Sequence, residues 1–341
     1  MNGATGIERP PLGIRLLHAL QKEPDWPTMT AEDLVAYRDA ANRRAASRLF
    51  RVITGSPDRR AAVCWQEVRL SDRVLRVRVY RPSPGRGGSA ALPLVLHVHG
   101  GGFVGTAAQC DWANSHLAAR LPAVVVSVEH RLLAQGTALS DAVEDGWDVL
   151  QHMMQHAAEW GIAPERTAVA GESTGALIAA LAAIRAKAAG LHVQAQVLIN
   201  PVADLTETMF DYASMAEHAH SPTLSVTKLR LFQQLAVPPG TDPGAVSPLH
   251  AADLSGLAPA LVVVPTLDPL ADHGRRYAER LREFATPARL IEHPGATHAF
   301  LTLPGVVPQA KAARAEITEF LRGRLAGSRS AAARPTKAEA R

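Results

Sequence analysis

A serine with a glycine two residues before it and another two residues after it is the first residue whose sequence context suggests chemistry. Ser173 lies at the centre of Gly-Glu-Ser-Thr-Gly at 171–175, which follows an apolar run and leads into an alanine-rich run at 176–189. This order predicts a buried strand, a sharp turn and a helix, because glycine fits where a side chain would clash with neighbouring backbone. A serine that projects from such a turn is placed to act as a nucleophile.

A second glycine-rich segment, His-Gly-Gly-Gly-Phe at 99–103, comes directly after the apolar run 92–98. Backbone N–H groups of glycines can approach a ligand oxygen without interference from side chains, as an oxyanion hole requires. A phosphate-binding loop is disfavoured, because no Lys-Ser or Lys-Thr pair follows and the spacing G-x-G-x-x-G is absent. We expect His99 to anchor this loop and to have no catalytic role.

An acidic partner for the serine is expected at the end of a strand, where the sites of parallel sheets are built. Asp268 meets this condition, since it follows the apolar run 260–264 and precedes a proline. Aspartate before proline is also a good helix start, so Asp268 has a purely structural interpretation as well. Asp253 and Asp272 are weaker alternatives, because one precedes the strand and the other lies inside the helical pattern after it.

The candidate base is His298, which lies in a predicted turn 30 residues after Asp268. His293 competes with it, but that residue lies within or at the end of a strand. The chain order decides the assignment: Ser173, Asp268 and His298 each follow a strand, in the order of the catalytic triad of α/β-hydrolases. Such a triad requires no metal and no organic cofactor.

The segments between these motifs alternate between short apolar runs and helical patterns. Runs rich in Val, Leu and Ile are typical of strands buried on both faces, as in a mostly parallel sheet flanked by helices. An antiparallel hairpin at 62–70 and 74–80 is expected to enter this sheet. The further predicted strands lie at 92–98, 123–128, 167–170, 196–199, 260–264 and 288–291. The fold class is therefore α/β.

Two segments interrupt this alternation and are expected to form a helical cap. Residues 1–50 carry helical patterns, and a capping-box sequence at 30–33 opens a predicted helix over 34–50. Residues from about 201 to 250 pass without a predicted strand, and an insertion of this length is usually a functional lid. The main domain is expected at 51–326, including that insertion, and the basic tail 327–341 is expected to be disordered.

Composition bounds the class of protein and its partners. The chain has 341 residues, of which 47% are apolar and 20% charged, as in a globular protein with a large core. The pI near 9.3 reflects the end of the chain, since 322–341 carries a net charge of +5 against +4 for the whole chain. Nucleic-acid binding is therefore not expected. The absence of a signal-peptide pattern and of a long apolar run predicts a cytoplasmic protein without stable membrane insertion.

Two cysteines, Cys64 and Cys110, lie in unrelated segments without a metal-binding spacing. We expect both to be buried free thiols, with neither a disulfide nor a zinc site. The sequence leaves open whether two copies of the chain form a homodimer.

From about residue 69 to 321 the chain resembles the hormone-sensitive-lipase-like group of α/β-hydrolases, of the bacterial carboxylesterase type. It carries H-G-G-G-F unchanged at 99–103, and the group's G-D-S-A-G-G appears as Gly-Glu-Ser-Thr-Gly-Ala at 171–176. D-P-L lies at 268–270, and H-G-F appears as His-Ala-Phe at 298–300. The resemblance implies a serine carboxylesterase with a helical cap, in which N–H groups of Gly101, Gly102 and Thr174 form the oxyanion hole.

The chain also departs from that group. Y-R-L-A-P-E is replaced by His-Arg-Leu-Leu-Ala-Gln at 130–135, which leaves the shape of one pocket edge open. The glutamate before the serine, Glu172, makes this motif similar to that of the cholinesterase-like carboxylesterases. Those proteins are much longer chains, however, and usually have Glu as the triad acid. A peptidase or an acyltransferase would use the same triad. A non-enzymatic binding protein, like the plant gibberellin receptors, would be expected to have lost a triad member, whereas this chain keeps all three.

The expected substrate is a small-molecule ester with a short to medium acyl chain. Aromatic residues and methionines of the predicted cap, together with the phenylalanine of the glycine loop, would line a closed apolar pocket. Each buried methylene adds about 0.8 kcal/mol until such a pocket is full, which favours acyl groups of about two to eight carbons. The predicted pocket residues are Phe103, Met209, Phe210, Tyr212, Met215 and Phe232.

Overall fold

A computed structural model describes residues 8–20, 23–83 and 91–326 of the chain. The predicted disordered tail, 327–341, lies outside the described residues, as do the first seven residues of the predicted cap segment. In the described part of the chain, no helix is both long and apolar enough to cross a membrane.

A central sheet of eight strands organises the molecule, in the order β1-β2-β4-β3-β5-β6-β9-β10. The first hairpin and the β2–β4 pair are antiparallel, and all other neighbouring strands are parallel. The strands of this sheet are β1 (Ala61–Arg69), β2 (Val74–Pro82), β3 (Leu92–Val98), β4 (Val124–Val128), β5 (Ile162–Glu172), β6 (Ala195–Ile199), β9 (Ala260–Leu267) and β10 (Ala288–Thr297).

Helices cover both faces of this sheet and fill the connections between strands. Those of the N-terminal segment are α1 (Leu12–Ala19), α2 (Ala31–Ala46) and α3 (Arg51–Thr54). The helices that follow are α4 (Asp111–Arg120), α5 (Leu139–Gln155), α6 (Ala157–Trp160), α7 (Thr174–Ala188), α8 (Ala213–Glu217), α9 (Val226–Ala236), α10 (Ala271–Glu283) and α11 (Gln309–Leu325).

Successive side chains of the buried strands point to opposite faces of the sheet, and this explains why these strands appear in the sequence as continuous apolar runs. In β4, Val124 and Val126 face one core with residues of α5, α7 and α10, whereas Val125 faces a second core with residues of α4 and α11. Successive side chains of a strand point to opposite faces, so a sheet covered on both sides needs apolar residues at every position. The predicted α/β class and mostly parallel sheet are confirmed.

Several predicted boundaries change in the structure. The strand predicted at 167–170 is the central part of the much longer β5, and the helix predicted over 34–50 begins at Ala31 and ends at Ala46. Thr30 caps that helix as the sequence indicates, since its Oγ1 accepts the N–H of Asp33 at 3.1 Å and the Asp33 carboxylate accepts the N–H of Thr30 at 3.0 Å. The free thiol of Cys110 is buried, but that of Cys64 on β1 is exposed, so the prediction for Cys64 was wrong.

The insertion after β6 was predicted to contain no strand, and this was wrong. It forms a small antiparallel pair, β7 (His220–Ser221) and β8 (Leu224–Ser225), joined by a two-residue turn. Strands of two residues are too short to show an alternating pattern in the sequence.

Asp204 anchors the beginning of this insertion. Its fully buried carboxylate accepts hydrogen bonds from the hydroxyls of Thr206 at 2.7 Å, Thr208 at 2.8 Å and Tyr212 at 3.0 Å, and it pairs with His250 at 3.1 Å. Burial alone would raise the pKa of Asp204, but the hydrogen bonds from Thr206 and Thr208 outweigh it and lower that pKa to about 2. The carboxylate is therefore ionised, and it fixes the path of the chain through 204–212.

The turn between β5 and α7 leaves no room for a side chain at Gly171. A Cβ there would lie 2.0 Å from the carbonyl oxygen of Gly175 and 2.6 Å from the amide nitrogen of Ala176. Because both atoms belong to the backbone, neither can move without displacing the first turn of α7.

We predict that Gly171→Ala lowers the free energy of unfolding by at least about 2 kcal/mol, as for other overpacked sites. Gly323→Ala is the matched control, since Gly323 lies in α11 with open space around its Cα. That variant should be as stable as the parent or up to about 1 kcal/mol more stable. Urea denaturation of the three proteins measures both changes, and equal midpoints for the two variants would contradict the crowding argument.

Candidate active site

The β5–α7 turn holds Ser173 in a conformation that non-glycine residues rarely adopt. Its φ is 55° and its ψ is −118°. The N–H of Ser173 donates to the carbonyl of Ile199 at 2.9 Å, so the neighbouring strand β6 fixes the turn. Backbone strain of this kind persists only where the surrounding structure enforces it, and it is concentrated at functional sites.

A chain of hydrogen bonds links Ser173, His298 and Asp268. The Oγ of Ser173 lies 2.8 Å from Nε2 of His298, and Nδ1 of the same imidazole lies 2.7 Å from Oδ2 of Asp268. The other oxygen of the fully buried Asp268 accepts the N–H of Leu270 at 2.9 Å. A carboxylate at Nδ1 favours the tautomer with its proton there, which leaves the lone pair of Nε2 facing the serine hydroxyl.

The competing acids and histidine have other partners. Asp253 forms a surface ion pair with Lys187 at 2.7 Å, and Asp272 accepts the N–H of Ser214 at 2.9 Å. His293 lies within β10, with its Nε2 3.1 Å from the carboxylate of Glu316. The geometry brings together the residues assigned from chain order and separates the alternatives from them.

The glycine loop after β3 lies beside Ser173 and presents backbone amides to the same space. Gly101 has a φ of 93°, and a Cβ there would lie 1.9 Å from the carbonyl oxygen of Val104. Within the described residues, the N–H groups of Gly101, Gly102 and Thr174 donate no backbone hydrogen bond. Thr174 is also the first residue of α7, where the helix dipole favours negative charge. This arrangement can stabilise an oxyanion.

The segment 130–135, which follows β4, supports this loop. The N–H of Leu133 donates to the carbonyl of Gly102 at 2.8 Å, and its buried side chain packs beside that glycine. The rings of His99 and His130 stack with their centroids 4.2 Å apart, and Nε2 of His130 lies 3.3 Å from the carbonyl oxygen of His99. These contacts between His99 and His130 hold the start of the glycine loop in place, which fits the structural role expected for His99.

A cavity of about 250 Å³ opens above Ser173 and His298. The N-terminal segment contributes Asn42 and Phe50 to its wall, and the insertion contributes Leu224, Lys228 and Phe232. We call this space the inner cavity. It adjoins a wider outer groove of about 780 Å³ between the two segments, and Leu224 and Lys228 line both spaces.

The predicted pocket residues are only partly at this cavity. Its described lining includes Phe103 and Phe232, but the structure places the other four away from it, so those assignments are corrected. The Asp204 carboxylate holds the hydroxyl of Tyr212, whose ring packs 4.8 Å from that of His273 on α10. Of the four displaced residues, Met209 and Met215 are buried in the main hydrophobic core, and Phe210 and Tyr212 are partly buried against it.

Three residues near the site were missed by the sequence analysis. The Nδ2 atom of Asn200 lies 3.4 Å from Nε2 of His298, and Asn42 accepts the N–H of Gly105 at 2.9 Å, which joins α2 to the glycine loop. Lys228 on α9 lines the inner cavity. Asn200 directly follows a strand end, a signal that could have been used, whereas Asn42 and Lys228 lie in helical patterns without a distinguishing motif.

Glu172, which precedes the serine, is buried, and its Oε1 has no hydrogen-bond partner among the described residues. Burial in this apolar setting raises the pKa of Glu172 to about 8. The side chain is therefore mostly protonated at neutral pH. Because Glu172 lines the inner cavity, its neutrality keeps a negative charge away from the place where an oxyanion would form.

Comparisons with known proteins agree with this geometry. A family model described as alpha/beta hydrolase fold matches residues 95–302. The chain is 34% identical to Esterase LipI of Mycobacterium tuberculosis over 240 residues, which cover 68% of this chain and 73% of that protein. It is 32% identical to the ethyl acetate hydrolase of Pseudomonas putida over 277 residues, covering 77% and 83% of the two chains.

Solved structures give the same result. The hyperthermophilic esterase of the archaeon Pyrobaculum calidifontis matches with a TM-score of 0.80 and 29% identity, covering 91% of this chain and 96% of that one. An ester hydrolase from the Lake Arreo metagenome, solved with a bipyridine phosphonate derivative, matches with a TM-score of 0.81 and 27% identity over 92% and 98% of the two chains. The fold predicted from the sequence is thereby confirmed.

We predict that Asp268→Asn slows the reaction of Ser173 with a fluorophosphonate probe by about a thousandfold, because an amide at this position favours the wrong imidazole tautomer. Asp253→Asn and Asp272→Asn are the controls, and both should react within severalfold of the parent rate. Time courses of probe labelling measure the three rates. A larger effect at either control position would mean that the acid is misassigned.

A second prediction concerns Glu172 and pH. In the unfolded chain this residue loses its proton near its ordinary pKa of 4.5, whereas the folded protein keeps the proton up to about pH 8. Unfolding therefore releases a proton between these values, and the free energy of unfolding falls as the pH rises through that window. Glu172→Gln removes this loss, so the variant should gain roughly 3 to 5 kcal/mol relative to the parent between pH 4.5 and 8.

Urea denaturation at several pH values from 4.5 to 8.5 measures this difference. Glu319→Gln is the control, because Glu319 is an exposed residue of α11 and the same substitution there should leave the pH dependence unchanged. A stability difference between Glu172→Gln and the parent that does not vary with pH would contradict the proposed protonation.

Proposed function

Because the chain belongs to the α/β-hydrolase family, in its hormone-sensitive-lipase-like group, we propose that it hydrolyses carboxylic esters through an acyl-enzyme on Ser173. The observation that carries this proposal is the hydrogen-bonded chain from Ser173 through His298 to Asp268, with distances of 2.8 and 2.7 Å. Beside it lie the N–H groups of Gly101 and Gly102, which donate no backbone hydrogen bond within the described residues. The relatives named as an esterase and as an ethyl acetate hydrolase support the same class of substrate.

The reaction follows from these positions. The Oγ of Ser173 attacks the ester carbonyl carbon while Nε2 of His298 takes the hydroxyl proton, and Asp268 stabilises the resulting imidazolium. The tetrahedral oxyanion accepts hydrogen bonds from the amides of Gly101, Gly102 and Thr174. His298 then gives its proton to the leaving alcohol, and the acyl group remains on the serine. A water molecule, deprotonated by the same imidazole, attacks the acyl carbon, and the imidazolium returns that proton to the Oγ of Ser173 as the bond to the acyl group breaks and the acid leaves.

The inner cavity supports a preference for short to medium acyl chains. Its volume of about 250 Å³ lies below the range of roughly 300 to 1,000 Å³ that is usual for pockets of drug-sized ligands. Apolar side chains such as Phe103, Leu229 and Phe232 form much of its wall. A chain longer than this space would extend into the outer groove, where it would gain less from burial than in the enclosed cavity. The N-terminal segment and the insertion would act together as the cap.

We predict that kcat/KM for p-nitrophenyl esters rises from acetate to a maximum at about two to eight carbons and falls toward palmitate, because the inner cavity fills.

Ser173→Ala should remain folded and lose about four or more orders of magnitude of turnover, since no other group can form the acyl-enzyme. Steady-state kinetics over the ester series, with circular dichroism of the variant, measure both effects.

Peptide mapping after fluorophosphonate labelling tests the nucleophile directly and should find the label on Ser173. Retained turnover in Ser173→Ala would contradict the mechanism. A maximum at palmitate with activation at an emulsion surface would indicate a true lipase. Transfer of the acyl group to an added alcohol in preference to water would instead indicate an acyltransferase.

A further inference from the structure

Lys228 places a positive charge at the boundary between the inner cavity and the outer groove. It lies in the first turn of α9, where its N–H donates to the Ser225 hydroxyl at 3.2 Å, and its side chain lines both spaces. Among the described residues of the inner cavity, it is the single Lys or Arg. A cation therefore stands in the wall of an otherwise largely apolar site that also contains Ser173 and His298.

The surroundings of the ammonium group leave its hydrogen bonds available. Nζ lies 5.3 Å from the ring centroid of Trp26 and 5.7 Å from that of Phe103, so two aromatic faces support the charge. In the described part of the chain, Nζ donates no hydrogen bond and forms no ion pair. The nearby acid is Glu23, whose Oε1 already accepts hydrogen bonds from the indole N–H of Trp26 at 2.7 Å and from the Ser225 hydroxyl.

Charge in the two spaces favours an anionic ligand. Burial lowers the pKa of Lys228 to about 8, partly opposed by the charge of Glu23, so the side chain is mostly protonated at neutral pH. Glu172 is mostly neutral at that pH for the reason given above. Arg44 lines the outer groove, where Glu23 is the acid among the described lining residues. A ligand that enters from this side meets more positive than negative groups.

We propose that Lys228 is a specificity-determining residue, which binds a carboxylate carried by the ester substrate while Ser173 attacks the ester carbonyl. This inference rests on the proposed function and adds the substrate class, namely esters with a second, anionic end such as the half-esters of dicarboxylic acids. Lys228 is half-buried, and a carboxylate on Nζ would supply the charge-assisted hydrogen bonds that its described neighbours do not provide. The carboxylate can belong to either the acyl or the alcohol part of the ester.

A purely structural role for Lys228 has different consequences. The side chain also joins α9 to Trp26 of the N-terminal segment, and this contact could serve only to hold the cap together. In that case a neutral substitution would weaken the turnover of charged and uncharged esters by the same factor. The selectivity between two esters of equal size separates the two roles.

Two pairs of esters test the proposal, one for each side of the ester bond. In the first pair, monoethyl adipate is compared with ethyl 6-methylheptanoate, and ethanol release is measured. In the second pair, 4-acetoxybutyrate is compared with 4-methylpentyl acetate, and acetate release is measured. Within each pair the carboxylate takes the place of an isopropyl group of similar shape. The ratio of kcat/KM for the charged ester to that for its neutral partner is the readout.

We expect this ratio to be roughly ten in the parent protein for at least one pair. In Lys228→Met the ratio should be roughly tenfold lower. Lys228→Arg should retain most of the preference, because it keeps the charge. Arg230→Met is the matched control: Arg230 is an exposed cation on the same helix, with its guanidinium 4.3 Å from the Phe210 ring centroid, and it should leave the ratio unchanged.

A ratio near one in the parent for both pairs would overturn the proposal, and this measurement needs no variant to fold. An equal loss of turnover for charged and neutral esters in Lys228→Met would also overturn it and would assign a structural role. If Lys228→Met does not fold, Lys228→Gln replaces it in the same comparison. Failure of the proposed function would be visible separately, as absence of neutral-ester hydrolysis and of Ser173 labelling in the parent.

Discussion

The backbone of Ser173, with its φ of 55°, is held where the central strand β5 meets α7. This conformation exists only because the chain before and after it can pack closely. A Cβ at Gly175 would lie 2.1 Å from the carbonyl oxygen of Val98, so the first turn of α7 rests almost directly on the end of β3. The same approach brings the glycine loop after β3 to the nucleophile. One crowded turn therefore sets the positions of the serine and of the amides that face its substrate.

Burial determines which charges the site contains. The carboxylate of Asp268 is fully buried and has a partner for each oxygen, the imidazole of His298 and the N–H of Leu270. Among the described residues Glu172 has no such partner for Oε1, and it keeps its proton at neutral pH. Of the two carboxyl groups close to the serine, Asp268 therefore has a hydrogen-bond partner for each oxygen, whereas Glu172 is desolvated and keeps its proton at neutral pH. This difference leaves the oxyanion position free of an opposing negative charge.

Two distant parts of the chain close the site. Asn42 of α2 binds the backbone of Gly105, and Ser225 at the start of α9 donates a hydrogen bond to Glu23. The N-terminal segment and the insertion therefore contact both the glycine loop and each other. Lys228 lies at their junction, where the inner cavity meets the outer groove. The residues that would select a substrate come from these segments, whereas the residues that react come from the ends of the strands.

The sequence by itself determined the sheet, the order of the reacting residues and the glycine loop, because each depends on local requirements. A strand buried on both faces needs an unbroken apolar run, and the turn at Ser173 needs glycine where a side chain would clash. The positions of Asp268 and His298 followed from the same strand ends. Which residues of the N-terminal segment and of the insertion reach the cavity was decided only by the tertiary structure. Met209 and Tyr212 have the composition of a pocket wall, yet the buried Asp204 carboxylate draws their segment toward α10. Lys228 reaches the cavity only because α9 packs beside Trp26, and no local pattern encodes a contact between residues about 200 positions apart.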